Sequence, residues 1–198
     1  MSPRFEIRQA QETDTDALMQ LIYETPQEGK VHLNFERNPD FFHATQVTTT
    51  EPDVWVMLDQ KNNNKLAAAF SIGKREVYVK GKKRLTRYGN DLRVHQDYQG
   101  GRTLFRLFKK YRELMQDEWM QTVILDENKA SIDTVASGRS LLPTYHAAGQ
   151  FITHMIDLKK KHKHTANSLI RRACPEDIAE IQYFFDKNAA QKEFYPCY

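Results

Sequence analysis

Apolar and polar positions along the first half of the chain alternate with the period of strands, broken by one helical stretch. Phe5 to Arg8 alternates and predicts a short strand. Glu12 to Asp16 supplies cap residues and first-turn acids, and Ala17, Leu18, Leu21 and Ile22 then form one helical face. Pro26 to Asp40 is polar, is interrupted by Pro26, Gly29 and Pro39, and reads as loop with short helical pieces. Val54 to Leu58 is a strand, Lys61 to Lys65 a turn, and Leu66 to Ile72 a strand that continues through Glu76 to Val79. Lys80 to Lys83 makes a second hairpin turn, and Leu85 to Val94 is the next strand.

The rhythm then changes. The adjacent glycines Gly100 and Gly101 lead into Leu104, Leu107, Phe108, Tyr111, Leu114 and Met115, which recur at helical spacing. Thr122 to Leu125 is a compact apolar run that predicts a buried strand, with Asp126 to Ala130 at its C-terminal end. Ile132 to Leu142 fits neither period. Pro143 to Ala148 suits a short helix stopped by Gly149, and Phe151 to Ile156 suits a final strand. This order predicts a mixed α/β sheet rather than a pure βαβ array.

The C-terminal stretch echoes the start. Phe5 to Leu18 and Ser168 to Ile181 both read as strand, Ile-Arg-x-Ala, acidic cap and amphipathic helix, with Pro175 suited to the first turn. Ile178, Ile181, Phe184 and Phe185 give the second helix its apolar face. The expectation is a main domain over 1–158, a basic linker over 159–167, and the opening strand–helix unit of a second, incomplete domain over 168–198. The competing reading is a C-terminal helix packed on the first domain. The lysines and histidines of Lys159 to His164 are read as a solvated connection, because no arginines or aromatic residues interleave with them as in a nucleic-acid site.

Composition narrows the class. The 198 residues suffice for one sizeable core plus a fragment, and the net charge of +3 does not argue for a nucleic-acid partner. No apolar run approaches the roughly 18 residues of a membrane helix, and the N-terminus lacks a signal-peptide core. Cys174 and Cys197 lack metal-ligand spacing, so no metal site is expected and a cytoplasmic setting fits.

The element order and the glycine turn together resemble the GNAT superfamily of N-acetyltransferases over nearly all of residues 5–158. In that family the fourth strand ends in Gln/Arg-x-x-Gly-x-Gly/Ala ahead of a helix, and the turn's backbone amides hold the pyrophosphate of acetyl-CoA. Here Leu92, Arg93 and Val94 match the strand end, Gln99 the first motif position, and Gly100 and Gly101 the spacer. Arg102 and Leu104 stand where the family has small residues, with Thr103 between them. Asn128 follows the next strand as in the family's second motif, and Tyr145 with Gly149 and Phe151 resembles its Tyr-x-x-x-Gly-Phe ending.

The resemblance implies a GNAT acyl-CoA N-acyltransferase fold, with a mostly antiparallel sheet splayed at a CoA cleft. It implies acetyl-CoA as co-substrate, held by Leu92, Arg93, Val94, Gln99, Gly100, Gly101, Arg102, Thr103, Leu104 and Asn128. It implies transfer by direct attack of an amine on the thioester, with backbone N–H groups near Val94 polarising the carbonyl. Tyr145 is the candidate acid for the departing thiolate and Asp91 a candidate base, with His95 also near the cleft. The partner is a small-molecule or peptide amine; neither membrane nor nucleic acid is expected, and a homodimer stays open. The acceptor site is expected in the segment Glu28 to Thr50. The alternative is a non-catalytic acyl-CoA-binding or interaction domain with an altered pyrophosphate loop. No G-x-S-x-G elbow or P-loop competes, and Trp55 and Trp119 are expected in the core.

Overall fold

The alternation along the first half of the chain becomes four antiparallel strands: β1 (Phe5–Gln9), β2 (Thr50–Asp59), β3 (Lys65–Val79) and β4 (Lys82–Val94). The computed structural model describes residues 3–27, 29, 32–115, 118–135, 137–138, 142–152 and 171–197. A fifth strand, β5 (Met120–Thr122), runs parallel to β4 and pairs with Arg87 to Gly89. The sheet order is β1-β2-β3-β4-β5. Parallel pairing needs a crossover, which helix α3 (Thr103–Met115) provides. The other helices are α1 (Thr15–Glu24), α2 (Phe41–Thr48), α4 (Lys129–Val135) and α5 (Ile178–Ala189).

Each face of the sheet carries its own core. On one face Leu18, Leu21 and Ile22 of α1 and Phe41 of α2 pack on Val54, Val56, Leu58, Leu66 and Ala69. On the other, Leu107, Phe108, Tyr111 and Met115 of α3 pack on Met57, Ala68, Phe70 and Ile72. Gly89 permits the closest approach on this second face. A Cβ there would lie 2.0 Å from the Tyr111 hydroxyl and 2.9 Å from the Met120 sulfur.

Several expectations change. The strand expected at Thr122 to Leu125 is instead Met120 to Thr122, and 123–125 carry no strand. A bulge in β4 explains where it stops. The register with β3 jumps between Ala69↔Arg93 and Ser71↔Asn90, and Asp91 takes a left-handed φ of 51°. The edge that β5 would follow beyond Gly89 turns away. The helix expected over Pro143 to Ala148 does not form. Such a short helix needs tertiary packing to persist. Phe151 and Ile152 lie in no strand and are exposed, and the rest of that expected strand falls outside the described residues, as do 159–167 and Ser168 to Ile170. Trp119 is exposed rather than in the core, edge-on to Phe194 with ring centroids 5.9 Å apart.

The sequence parallel between residues 8–18 and 171–181 extends to side-chain geometry. Arg8 forks onto Asp14 at 2.7 and 2.9 Å, and the amide of Gln11 donates to Asp14 at 2.8 Å. Arg171 forks onto Asp177 at 2.6 Å for both nitrogens, and the amide of Cys174 donates to Asp177 at 2.9 Å. A 3-10 turn precedes the helix in both (Glu12–Asp14 and Pro175–Asp177). The helix faces differ in burial: Leu18, Leu21 and Ile22 are 1, 3 and 4% exposed, whereas Ile181, Phe184 and Phe185 are 39, 61 and 40% exposed. The unit nonetheless touches the main sheet. Phe194 to Cys197 adds to the free edge of β3, with the Phe194 amide donating to the Tyr78 carbonyl at 2.8 Å and the Cys197 amide to that of Glu76 at 2.9 Å. The Tyr78 hydroxyl donates to Asp186 at 3.0 Å.

Candidate active site

Strands β4 and β5 touch over three residue pairs and then part, opening a split beside residues 90–94. Leu92 and Val94 pack toward the α3 core, and Arg93 lies opposite Ala69 on the α1 face. Beyond β4 a 3-10 turn (Gln96–Tyr98) leads to the glycine pair. The Gln99 side-chain amide donates to the Val94 carbonyl at 3.1 Å, tying the turn to the strand end. Gly100 has φ +72°, a conformation side chains resist, and no atom lies within 4 Å of the place a Cβ would take. The turn is therefore open on its outer side. The first N–H groups of α3 follow at once, with the positive end of the helix dipole.

The two departures from the glycine motif leave the backbone path of the turn uncovered. Leu104 packs against the α3-side core, and Arg102 is exposed. Thr103 between them is buried. The backbone path that can seat a pyrophosphate is thus free of both side chains' bulk, and the donor set there, backbone amides beside an arginine, suits that group. Asn128 caps α4: its side-chain oxygen accepts from the Ser131 amide at 3.1 Å. Tyr145 is partly buried beside Tyr111, and burial pushes its phenol up to about 12. It holds its proton at neutral pH.

On the α1 face, Asp91 is buried and both its oxygens accept from Arg37 Nη2, at 2.9 and 2.8 Å. It is engaged in an ion pair rather than presented free to the split. Arg37 comes from the segment after α1, also donates to Thr48 at 3.3 Å, and lines a cavity of about 470 Å³ with Asp16, Gln20, Tyr23, Asn34 and Glu36. At the end of β4, buried His95 accepts the Asp97 amide at Nδ1 (3.2 Å), which places its ring proton on Nε2, 3.5 Å from Glu24. Glu24 also accepts from Gln20 at 2.6 Å. Glu24 and Arg37 are additions to the residues singled out from sequence. They stand far from β4 along the chain, and only the fold brings them together. Among the described residues no cluster of His, Cys, Asp or Glu could hold a metal ion, and no helix is long and apolar enough to cross a membrane.

Comparison with solved structures assigns this architecture. An acetyltransferase of Trypanosoma brucei superposes with a TM-score of 0.52 at 17% identity, covering 77% of this chain and 99% of the other. An aminoglycoside acetyltransferase from an uncultured soil metagenomic sample gives 0.54 at 15%, covering 78% and 97%. Glucosamine-6-phosphate N-acetyltransferase from Arabidopsis thaliana gives 0.52 at 14%, covering 77% and 99%. The protein has the mixed α/β fold of the GNAT N-acetyltransferases. No protein-family model matches the sequence, and no curated protein does.

Proposed function

We propose that the protein is an acyltransferase that moves an acetyl group from acetyl-CoA to an amine. The observation that carries this reading is the parting of β4 and β5 directly ahead of the open Gly100–Gly101 turn and the α3 N-terminus. Backbone amides of 100–104 bind the pyrophosphate, with Arg102 adding charge. Backbone N–H groups of β4 near Val94 polarise the thioester carbonyl. The amine attacks that carbonyl carbon, and the C–S bond breaks as the C–N bond forms. Tyr145 gives its phenolic proton to the departing thiolate. Glu24, oriented by His95 and Gln20, takes the amine proton, a role that Asp91 cannot fill while both its oxygens accept from Arg37. The cavity between α1 and Arg37 receives the acceptor.

Calorimetry with CoA and a thiol-release assay over pooled amines test this. Binding together with thiol release is expected, and no binding at millimolar CoA refutes it. The second reading, an acyl-CoA-binding domain without turnover, is favoured by Arg102 and Leu104 standing where the family has small residues. It predicts CoA binding with no thiol release from any amine.

A further inference from the structure

The α1 face of β4 holds an unbalanced charge. Arg37 and Arg93 share one carboxylate, Asp91, in a place where Arg93 is only 9% exposed and the side chains of Arg37 and Asp91 only 13 and 5%. Arg93 spends one nitrogen, Nη1, on the Leu92 carbonyl at 2.9 Å. Its Nε and Nη2, together with Arg37 Nε, are buried and have no hydrogen-bond partner. Buried donors are normally paired, and a buried charge without its counterion is among the costlier things a fold can contain. Burial accordingly pushes the Arg93 guanidinium down from its usual value, Asp91 opposing and Arg37 adding to the effect. A chain that needed only structure at this position would be better served by an apolar residue.

We propose that this cluster is the seat of a carboxylate on the acceptor, so that the acceptor is an amine that also carries a carboxylate, as amino acids do. The proposal rests on the acyl-transfer reading above and names the substrate class of that site. Arg37 lines the α1-side cavity, so an incoming carboxylate meets it first. Asp91 then turns toward the idle Nε and Nη2 of Arg93, and two guanidiniums face two carboxylates in a neutral cluster. No bond is made or broken in this exchange. Asp16 and Glu36 on the cavity wall, the latter held by Asn38 at 3.2 Å, suit the ammonium end of the same molecule. An acceptor with only one of the two charges would leave one set of groups unmatched.

The test pairs each amino acid with its decarboxylated amine: phenylalanine with phenethylamine, histidine with histamine, lysine with cadaverine. Thiol release by the wild-type protein should favour the carboxylate-bearing member by about tenfold or more in kcat/KM. In Arg93→Met that preference should vanish. Melting supplies a readout independent of turnover. Without ligand, Arg93→Met should melt above wild type, because it removes an unpaired buried charge. The amino acids should raise the wild-type Tm and leave that of Arg93→Met unmoved. Equal turnover of both members of each pair, or a variant that melts lower and still discriminates, overturns the proposal. So does a preference for phosphoethanolamine over ethanolamine without any preference for amino acids, which would assign the seat to phosphate. If CoA neither binds nor is released, the acyl-transfer reading fails, and the melting arm alone decides whether the anion seat exists.

Discussion

Leu21 of α1 and Phe184 of α5 stand at the same distance beyond the Arg8–Asp14 and Arg171–Asp177 pairs, and shortening each to alanine should separate them sharply. Leu21 is 3% exposed and packs among the aliphatic side chains of β2 and β3. Leu21→Ala should cost about 2–5 kcal/mol, lost transfer free energy plus a cavity that the sheet cannot close. Phe184 is 61% exposed, so less than half of its area is covered. At about 25 cal/mol per Å² for the covered part, Phe184→Ala should cost less than about 1 kcal/mol. Urea unfolding followed by far-UV circular dichroism measures both. With a slope of about 1–3 kcal/mol per molar, Leu21→Ala should lower the midpoint by on the order of 1 M or more. Phe184→Ala should shift it less than half as far. Both slopes should stay at the wild-type value. If Phe184→Ala costs as much as Leu21→Ala, the α5 face is covered in solution and the reasoning from its exposure fails.

Tyr145→Phe should lower kcat by about a hundredfold or more while leaving CoA affinity intact; because the phenol sits at about 12, wild-type activity should persist through pH 10 and fall only as pH approaches 12, and an alkaline limb centred near 10 would contradict the burial. Gly89→Ala forces a methyl against the Tyr111 hydroxyl and Met120, and should destabilise by about 1–3 kcal/mol in thermal melts. A partial recovery in Gly89→Ala with Tyr111→Phe identifies that contact as the cause. The Arg4 guanidinium beside Asp59 holds its carboxyl below the usual range, so this pair's stability is present above about pH 4 and is lost as pH falls through the depressed value. Asp59→Asn should flatten the acid limb of Tm against pH, and an unchanged limb removes the pair from acid unfolding.

The hairpins and α3 were legible because their signals are local. Val54 to Leu58, Leu66 to Val79 and the Leu104–Met115 face each announce a period, and the turns between them announce breaks. Helix α2 was not among the expected elements: its local signal is a single cap, Asp40 accepting from the His43 amide at 2.7 Å directly ahead of Phe41. The apolar run Thr122 to Leu125 misled because periodicity reports what a segment could bury, not whether a neighbour is there to pair with it. The bulge at Asp91 withdraws that neighbour. The site divides in the same way. Gln99 to Leu104 is contiguous and was found as a motif. The Arg37–Asp91–Arg93 group and the Glu24–His95 pair join residues from α1, a loop and β4, and no spacing in the chain encodes them.

The addition of Phe194 to Cys197 to the edge of β3 gives the molecule a pair of contrasting thiol reporters. Cys197 lies half-buried in that added segment, and burial pushes its thiol up, whereas Cys174 at the start of the 3-10 turn before α5 is exposed. A thiol reagent should therefore modify Cys174 at once and Cys197 more slowly, at a rate that rises as residues 194–197 peel from β3. The Cys197 rate divided by its rate in the unfolded protein, read by mass spectrometry with Cys174 as the internal control for reagent, gives the free energy of that opening. It also shows whether the C-terminal unit detaches on its own or only when the main sheet unfolds.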